Sequence, residues 1–183
     1  MILKKINAVL GLSIIAALIW HGGTMTYSLI TYWYNYTICK FFAYAAVVLM
    51  ILHALMSICI FFFLHDGNSI SYSRLNASTF IQRITAVLMI IFIHFHTTAY
   101  AHMATGESLS AGKTVFVLIT EYIYIISVFL HTSVSFSKAL ITLGLISSAK
   151  TARLVDKAAY IICGVFALGA LYGITAFFVG GLL

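Results

Sequence analysis

Proline is absent from the 183 residues, acidic side chains number four and cysteines three. Without proline no helix is forced to kink or break, so long uninterrupted helices are the expectation. Cys39, Cys59 and Cys163 are scattered and form no C-x-x-C. That excludes an iron–sulfur cluster or zinc site built within this chain, and covalent haem attachment through C-x-x-C-H. All three read as small residues facing lipid or core. Charged residues make up 8% of the chain, where a soluble domain has roughly a quarter. So few charges cannot cover a surface facing water.

Apolar residues fill the space: 63% of positions are hydrophobic and the mean hydropathy is +1.09. A helix needs about twenty apolar residues to cross a bilayer. Such stretches recur at 6–32, 38–64, 79–102, 114–140 and 155–180. The expectation is an all-α integral membrane protein, one transmembrane domain over 1–183, with no room for a soluble catalytic domain. Some stretches exceed the minimum, which permits tilt or protrusion. The first follows Lys4 and Lys5 as a signal peptide would, but no small-x-small cleavage site comes after it, so it reads as a retained span. Segments 65–78 and 105–113 read as polar connections.

Charge orients the bundle. With the N-terminus cytoplasmic, Lys4, Lys5, Arg74, Arg83, Lys138, Lys150, Arg153 and Lys157 fall inside, and only Lys40 and Lys113 outside. Five spans and a positive-inside bias then place the C-terminus externally. The net charge of +6 is topology and not a nucleic-acid footprint, because the basic residues sit at helix ends. Gly169 and Gly173 form a G-x-x-x-G, which lets two helix backbones approach closely, within the bundle or between protomers.

Seven histidines in so apolar a chain need an account. His65 and His102 lie near span ends, where interfacial solvation explains them. His94 and His96 point to nearly opposite sides of one helix, so only one can face the bundle interior. Depth sorts the others. Counted from the cytoplasmic side at about 1.5 Å per residue, His21 lies about 23 Å up the first helix and His96 about 26 Å up the third. His53 and His131, on the second and fourth, lie about 14 to 17 Å from the same side. Four helices thus give one histidine each, in two layers. Two stacked haems with two axial imidazoles apiece need that arrangement. The competing account is four histidines serving helix–helix hydrogen bonds or a proton path. His94 reads as a spare polar contact.

Two segments carry a resemblance. Gln82-Arg83-Ile84-Thr85-Ala86, with His96 fourteen residues after the glutamine, resembles the Q-x-x-T-G and helical histidine of the five-helix, two-haem cytochrome b anchor of succinate dehydrogenase and fumarate reductase. Ala86 stands where glycine is usual, a small-for-small change. The run from His131 through Lys138 to Leu143-Gly144 resembles the family's histidine, basic residue and aromatic-glycine segment. The resemblance implies two non-covalent haems b, His21 and His96 on the outer and His53 and His131 on the inner, in a bundle of five transmembrane helices. It also implies a cytoplasmic-membrane location and two cytoplasmic partners, a flavoprotein and an iron–sulfur subunit. Electrons would pass between their dicarboxylate site and a quinone, menaquinone by type, through this chain. A homodimer of the whole complex is a further implication.

Arg83 and Lys138 lie near the cytoplasmic ends of ligand-bearing helices, where they would neutralise haem propionates or simply anchor the chain. Tyr124 and Ser127 share the helix face of His131, placing them against haem or quinone or in plain helix packing. Among the acids, Asp66 and Asp156 read as solvated. Glu121 lies about two turns inside the fourth span, where an ionised carboxylate is costly unless paired or wet. It is the candidate for quinone proton exchange, with His102 and Glu107 as helpers, against a purely structural hydrogen bond. Some fumarate reductases place a glutamate two residues before the fourth-helix histidine for transmembrane proton movement; here that position is Phe129. Other readings are the haem b anchor of a formate dehydrogenase or hydrogenase and a haem-free transporter. The 82–96 segment argues against the first, and the lack of an inverted repeat or broken helix against the second.

Overall fold

The computed structural model describes residues 2–33, 35–63, 73–105 and 109–180. Among these run five helices: α1 Ile2–Thr31, α2 Tyr36–Phe63, α3 Ser73–Thr105, α4 Ala111–Leu143 and α5 Ala149–Gly180. All five are long and apolar enough to cross a membrane, and the chain is an all-helical, multi-pass membrane protein. Most helices outrun the apolar windows: α1 opens four residues before position 6, and α3 six residues before position 79. With no proline to stop it, a helix continues through the interface, keeping its peptide groups bonded, until a cap ends it. The 65–78 connection is therefore helical from Ser73, while 64–72 lie outside the described residues.

The caps are local chemistry. Tyr32, at φ 56, turns the chain out of α1. Asn35 opens α2: its side-chain Oδ1 accepts the Ile38 N–H at 3.1 Å and its carbonyl accepts that of Cys39. At the end of α4, Gly144 adopts φ +81, which a Cβ would oppose. There the Gly144 N–H reaches the Ile141 carbonyl and the Leu145 N–H that of Leu140, both at 3.0 Å, closing the last turn. Ser148 Oγ then accepts the Thr151 N–H at 3.0 Å and starts α5.

Two helices organise the bundle. α1 packs on α2, α4 and α5, and α4 packs on α1, α3 and α5. Among the described residues α2 approaches only α1; its backbone comes within 8 Å of neither α3 nor α4. Small residues make the close contacts. A Cβ on Gly173 would meet the Leu29 Cβ at 3.5 Å and the Thr26 carbonyl at 3.6 Å, and one on Gly169 would meet Thr26 Cγ2 at 3.7 Å. The G-x-x-x-G therefore seats α5 on α1 inside the bundle. Along α4, buried hydroxyls bond to their own helix, Ser127 to the Ile123 carbonyl and Ser133 to that of Phe129. They keep that face narrow and pair their own hydroxyls in an apolar setting.

Candidate functional site

The helix arrangement brings the four span-interior histidines together in two places. At the inner level a cavity of about 250 Å³ opens between α1, α2, α3 and α4, and both His53 and His131 line it. Each imidazole is held from behind. The His53 Nδ1–H donates to the Asn7 carbonyl at 3.2 Å, and the His131 Nδ1–H to the Gln82 carbonyl at 3.0 Å. A carbonyl can only accept, so these bonds fix the tautomer and leave each Nε2 with its lone pair. Thr85 Oγ1 stands 3.3 Å from His131 Nδ1 and directs its own proton to the Ile81 carbonyl at 2.7 Å. Gly11 gives His53 its room: a Cβ there would sit 3.5 Å from the ring's Cε1. Ile14, Leu18, Met50 and Met89 form the apolar wall.

The cations at this level are sorted differently from the expectation. Lys138 lines the cavity and donates from Nζ to Gln82 Oε1 at 3.0 Å. Arg83 instead lies over the Phe61 ring, 5.0 Å from its centroid, tying α3 to α2, and is not among the lining residues. Lys4 lines the cavity in its place. Ser135 Oγ, also on the wall, is buried and has no hydrogen-bond partner.

At the outer level the rings themselves meet. His21 and His96 lie with centroids 6.1 Å apart and planes at 89°. Tyr124 stacks on His96 at 4.7 Å, and the His96 Nδ1–H donates to Glu121 Oε2 at 2.9 Å. Glu121 is completely buried, and its Oε1 has no partner. His21 lies beside the Cys39 carbonyl, yet no hydrogen bond of acceptable geometry reaches its buried Nδ1. His94 is exposed, on the far side of α3, against Phe95.

A second cavity, about 200 Å³, lies between the outer ends of α3 and α4, with Phe95, His102, Lys113, Phe116 and Thr120 on its wall. Glu121 is not among its lining residues. Ser127 is buried on α4, and Asp156 accepts the hydroxyl of Ser137. His65, Asp66 and Glu107 lie outside the described residues.

These donors fit a haem. Each level brings two imidazoles together, and among the described residues no group of three or more His, Cys, Asp or Glu side chains is placed to hold a metal ion by itself. Two imidazoles bonded to one ion at about 2 Å each would place their centroids about 6 Å apart, which is the outer spacing. A carbonyl or carboxylate behind the ring is the support that metal-ligating histidines require.

Sequence reasoning missed three contributors. Asn7 and Lys4 sit on the first span, and the sequence pattern assigns Lys4 to topology alone. The Glu121–His96 contact was not foreseen, although both residues fall near one depth. No family model matches the chain, and no curated protein or solved structure matches it either.

Proposed function

We propose that the chain is the two-haem cytochrome b anchor of a succinate dehydrogenase or fumarate reductase. In this role it joins flavin and iron–sulfur subunits in the cytoplasm to quinone in the membrane. The observation that carries the reading is the pairing of four histidines from four helices into two levels, two rings 6.1 Å apart at one and two lining a shared cavity at the other. Haem bound there would supply one-electron transfer across the bilayer.

The protein's own residues do the rest. His53 and His131 would hold the inner group, and His21 and His96 the outer. Asn7 and Gln82 orient the inner imidazoles, and the aliphatic wall excludes water from between them. Lys4 and Lys138 place positive charge at the cytoplasmic end of the inner cavity, where carboxylate substituents are best tolerated. The outer cavity suits a quinone ring, with aromatic walls from Phe95 and Phe116 and polar atoms on His102 and Lys113. Proton exchange with that ring falls to His102 and Lys113, since Glu121 is engaged with His96 away from the wall.

The purified chain should contain two haems b, measured by pyridine haemochrome, and in membranes with its partners succinate should reduce at least one. A chain free of haem overturns the reading; haem without co-purifying flavin transfers it to another quinone-linked anchor. The orientation follows from the basic residues. In a background lacking the native cysteines, Ala149→Cys should resist an impermeant thiol reagent in intact cells. Labelling there would invert the topology.

A further inference from the structure

Three of the four histidines have no carboxylate behind the ring. His53 and His131 rest on backbone carbonyls, and His21 Nδ1 has no hydrogen-bond partner. His96 alone rests on a carboxylate, and Glu121 is completely buried, its second oxygen without a partner. A carboxyl group is not placed in such a position for solubility, and burying it costs free energy unless the contact gives something back. Nor is it on the wall of the outer cavity.

We propose that Glu121 is a positioning residue for the outer haem. It holds the Nδ1–H of His96, so that Nε2 is the ligating atom, and its negative charge lowers the reduction potential of that site relative to the inner one. The inference rests on the haem reading above.

The physics has two parts. A carboxylate accepting from Nδ1 fixes tautomer and ring angle, as a backbone carbonyl does, but also makes the imidazole a stronger donor to a metal. Second, a charge in a medium of low dielectric is poorly screened, and a negative one favours the oxidised, more positive state of a nearby metal. Tyr124, stacked on the other face of His96, keeps the ring from rotating away.

Glu121→Gln separates these parts, because the amide can still accept from Nδ1–H but carries no charge. Redox titration of the b bands in membranes holding the full complex reads the result, and His96→Leu identifies the outer haem as the one it loses. In Glu121→Gln both haems should remain, and the outer one alone should become about tenfold easier to reduce at a fixed ambient potential. For one electron that is an upward shift of about 59 mV. The low-spin electron paramagnetic resonance signal of the outer haem should change with it. Glu121→Leu, which removes the acceptor too, should weaken outer-haem retention about 10- to 100-fold. Unchanged potentials in Glu121→Gln overturn the proposal, and so does an equal shift of both haems, which a general loosening would give. If Glu121→Gln fails to accumulate, Glu121→Asp decides: one methylene shorter, it keeps the charge but loses the 2.9 Å contact, so the paramagnetic resonance signal of the outer haem alone should change, and an unchanged signal overturns the proposal. A wild-type chain without haem removes the reading beneath the proposal instead.

Discussion

At the inner level the two imidazoles belong to helices whose backbones do not touch, and a cavity of about 250 Å³ lies between α1 and its neighbours there. At the outer level the imidazoles meet at 6.1 Å, with an aromatic ring and a buried carboxylate closed around one of them. The inner level is held by backbone carbonyls and rimmed by lysines; at the outer one a side-chain carboxylate holds His96. Backbone supports tolerate sequence change, because any residue supplies a carbonyl. Side-chain supports are the place where the properties of one level can be tuned without disturbing the fold.

The largest effect expected is on the four histidines proposed as haem ligands. His21→Leu and His96→Leu should each remove or convert the outer haem and leave the inner recognisable, while His53→Leu and His131→Leu do the reverse. His94→Leu should retain both, since its ring faces outward. Redox titration of these five variants would break the comparison if members of one pair behaved differently.

The next effect is steric. Gly11→Val would push a branched side chain at the His53 ring, 3.5 Å away from a Cβ at that position, and should disturb the inner level alone. Gly173→Val would force α5 off Thr26 and Leu29, beyond His21 on α1, and should disturb the outer level. Overpacking of this kind costs about 1–3 kcal/mol, readable as a lower unfolding midpoint in detergent alongside the selective spectral change. Both variants affecting the same haem would show that the levels are mechanically one unit.

A smaller effect attends the charge at the inner rim. Lys138→Met keeps the aliphatic stem and removes the ammonium, and with it the bond to Gln82 Oε1. Inner-haem affinity should fall about tenfold while the outer is unchanged, measured by haem retention on dilution. Arg83→Met should do less, because that guanidinium lies on Phe61 outside the cavity.

Much of this was legible in the sequence, for a physical reason. Hydropathy marks the part of a helix immersed in lipid, so all five spans were visible while their ends were not. Ala149 begins a helix in polar sequence because capping, not apolarity, sets an end. Depth was legible because a membrane helix has a fixed rise and a common plane of reference. By the same count Glu121 falls about 29 Å from the cytoplasmic side, close to the 26 Å or so of His96, so the contact was within reach. It stayed hidden because depth alone does not say which faces of α3 and α4 meet. Lys4 and Arg83 show the limit most plainly. Both are basic and near the same end of the bundle, and only the rotation of each helix decides which one borders the cavity.

The loneliness of α2 bears on how long the protein survives in a cell. It carries His53, and among the described residues its backbone approaches only α1, with Arg83 on Phe61 as a side-chain tie to α3, so whatever bridges His53 to His131 also fastens the second helix to the fourth. A ligand that binds only the closed bundle adds stability by mass action, about 4.1 kcal/mol at a thousand times its dissociation constant. Before that ligand arrives, α2 is the segment most open to a membrane protease. Supply of the cofactor would then set the abundance of the polypeptide, with synthesis running ahead and degradation removing the excess. Pulse-chase in cells starved of haem should show a shortened half-life, restored by stapling α2 to α1 through an Asn7→Cys and Ser57→Cys pair at the place where those side chains now bond at 3.1 Å. An unchanged half-life on starvation would mean that α1 alone holds α2 well enough.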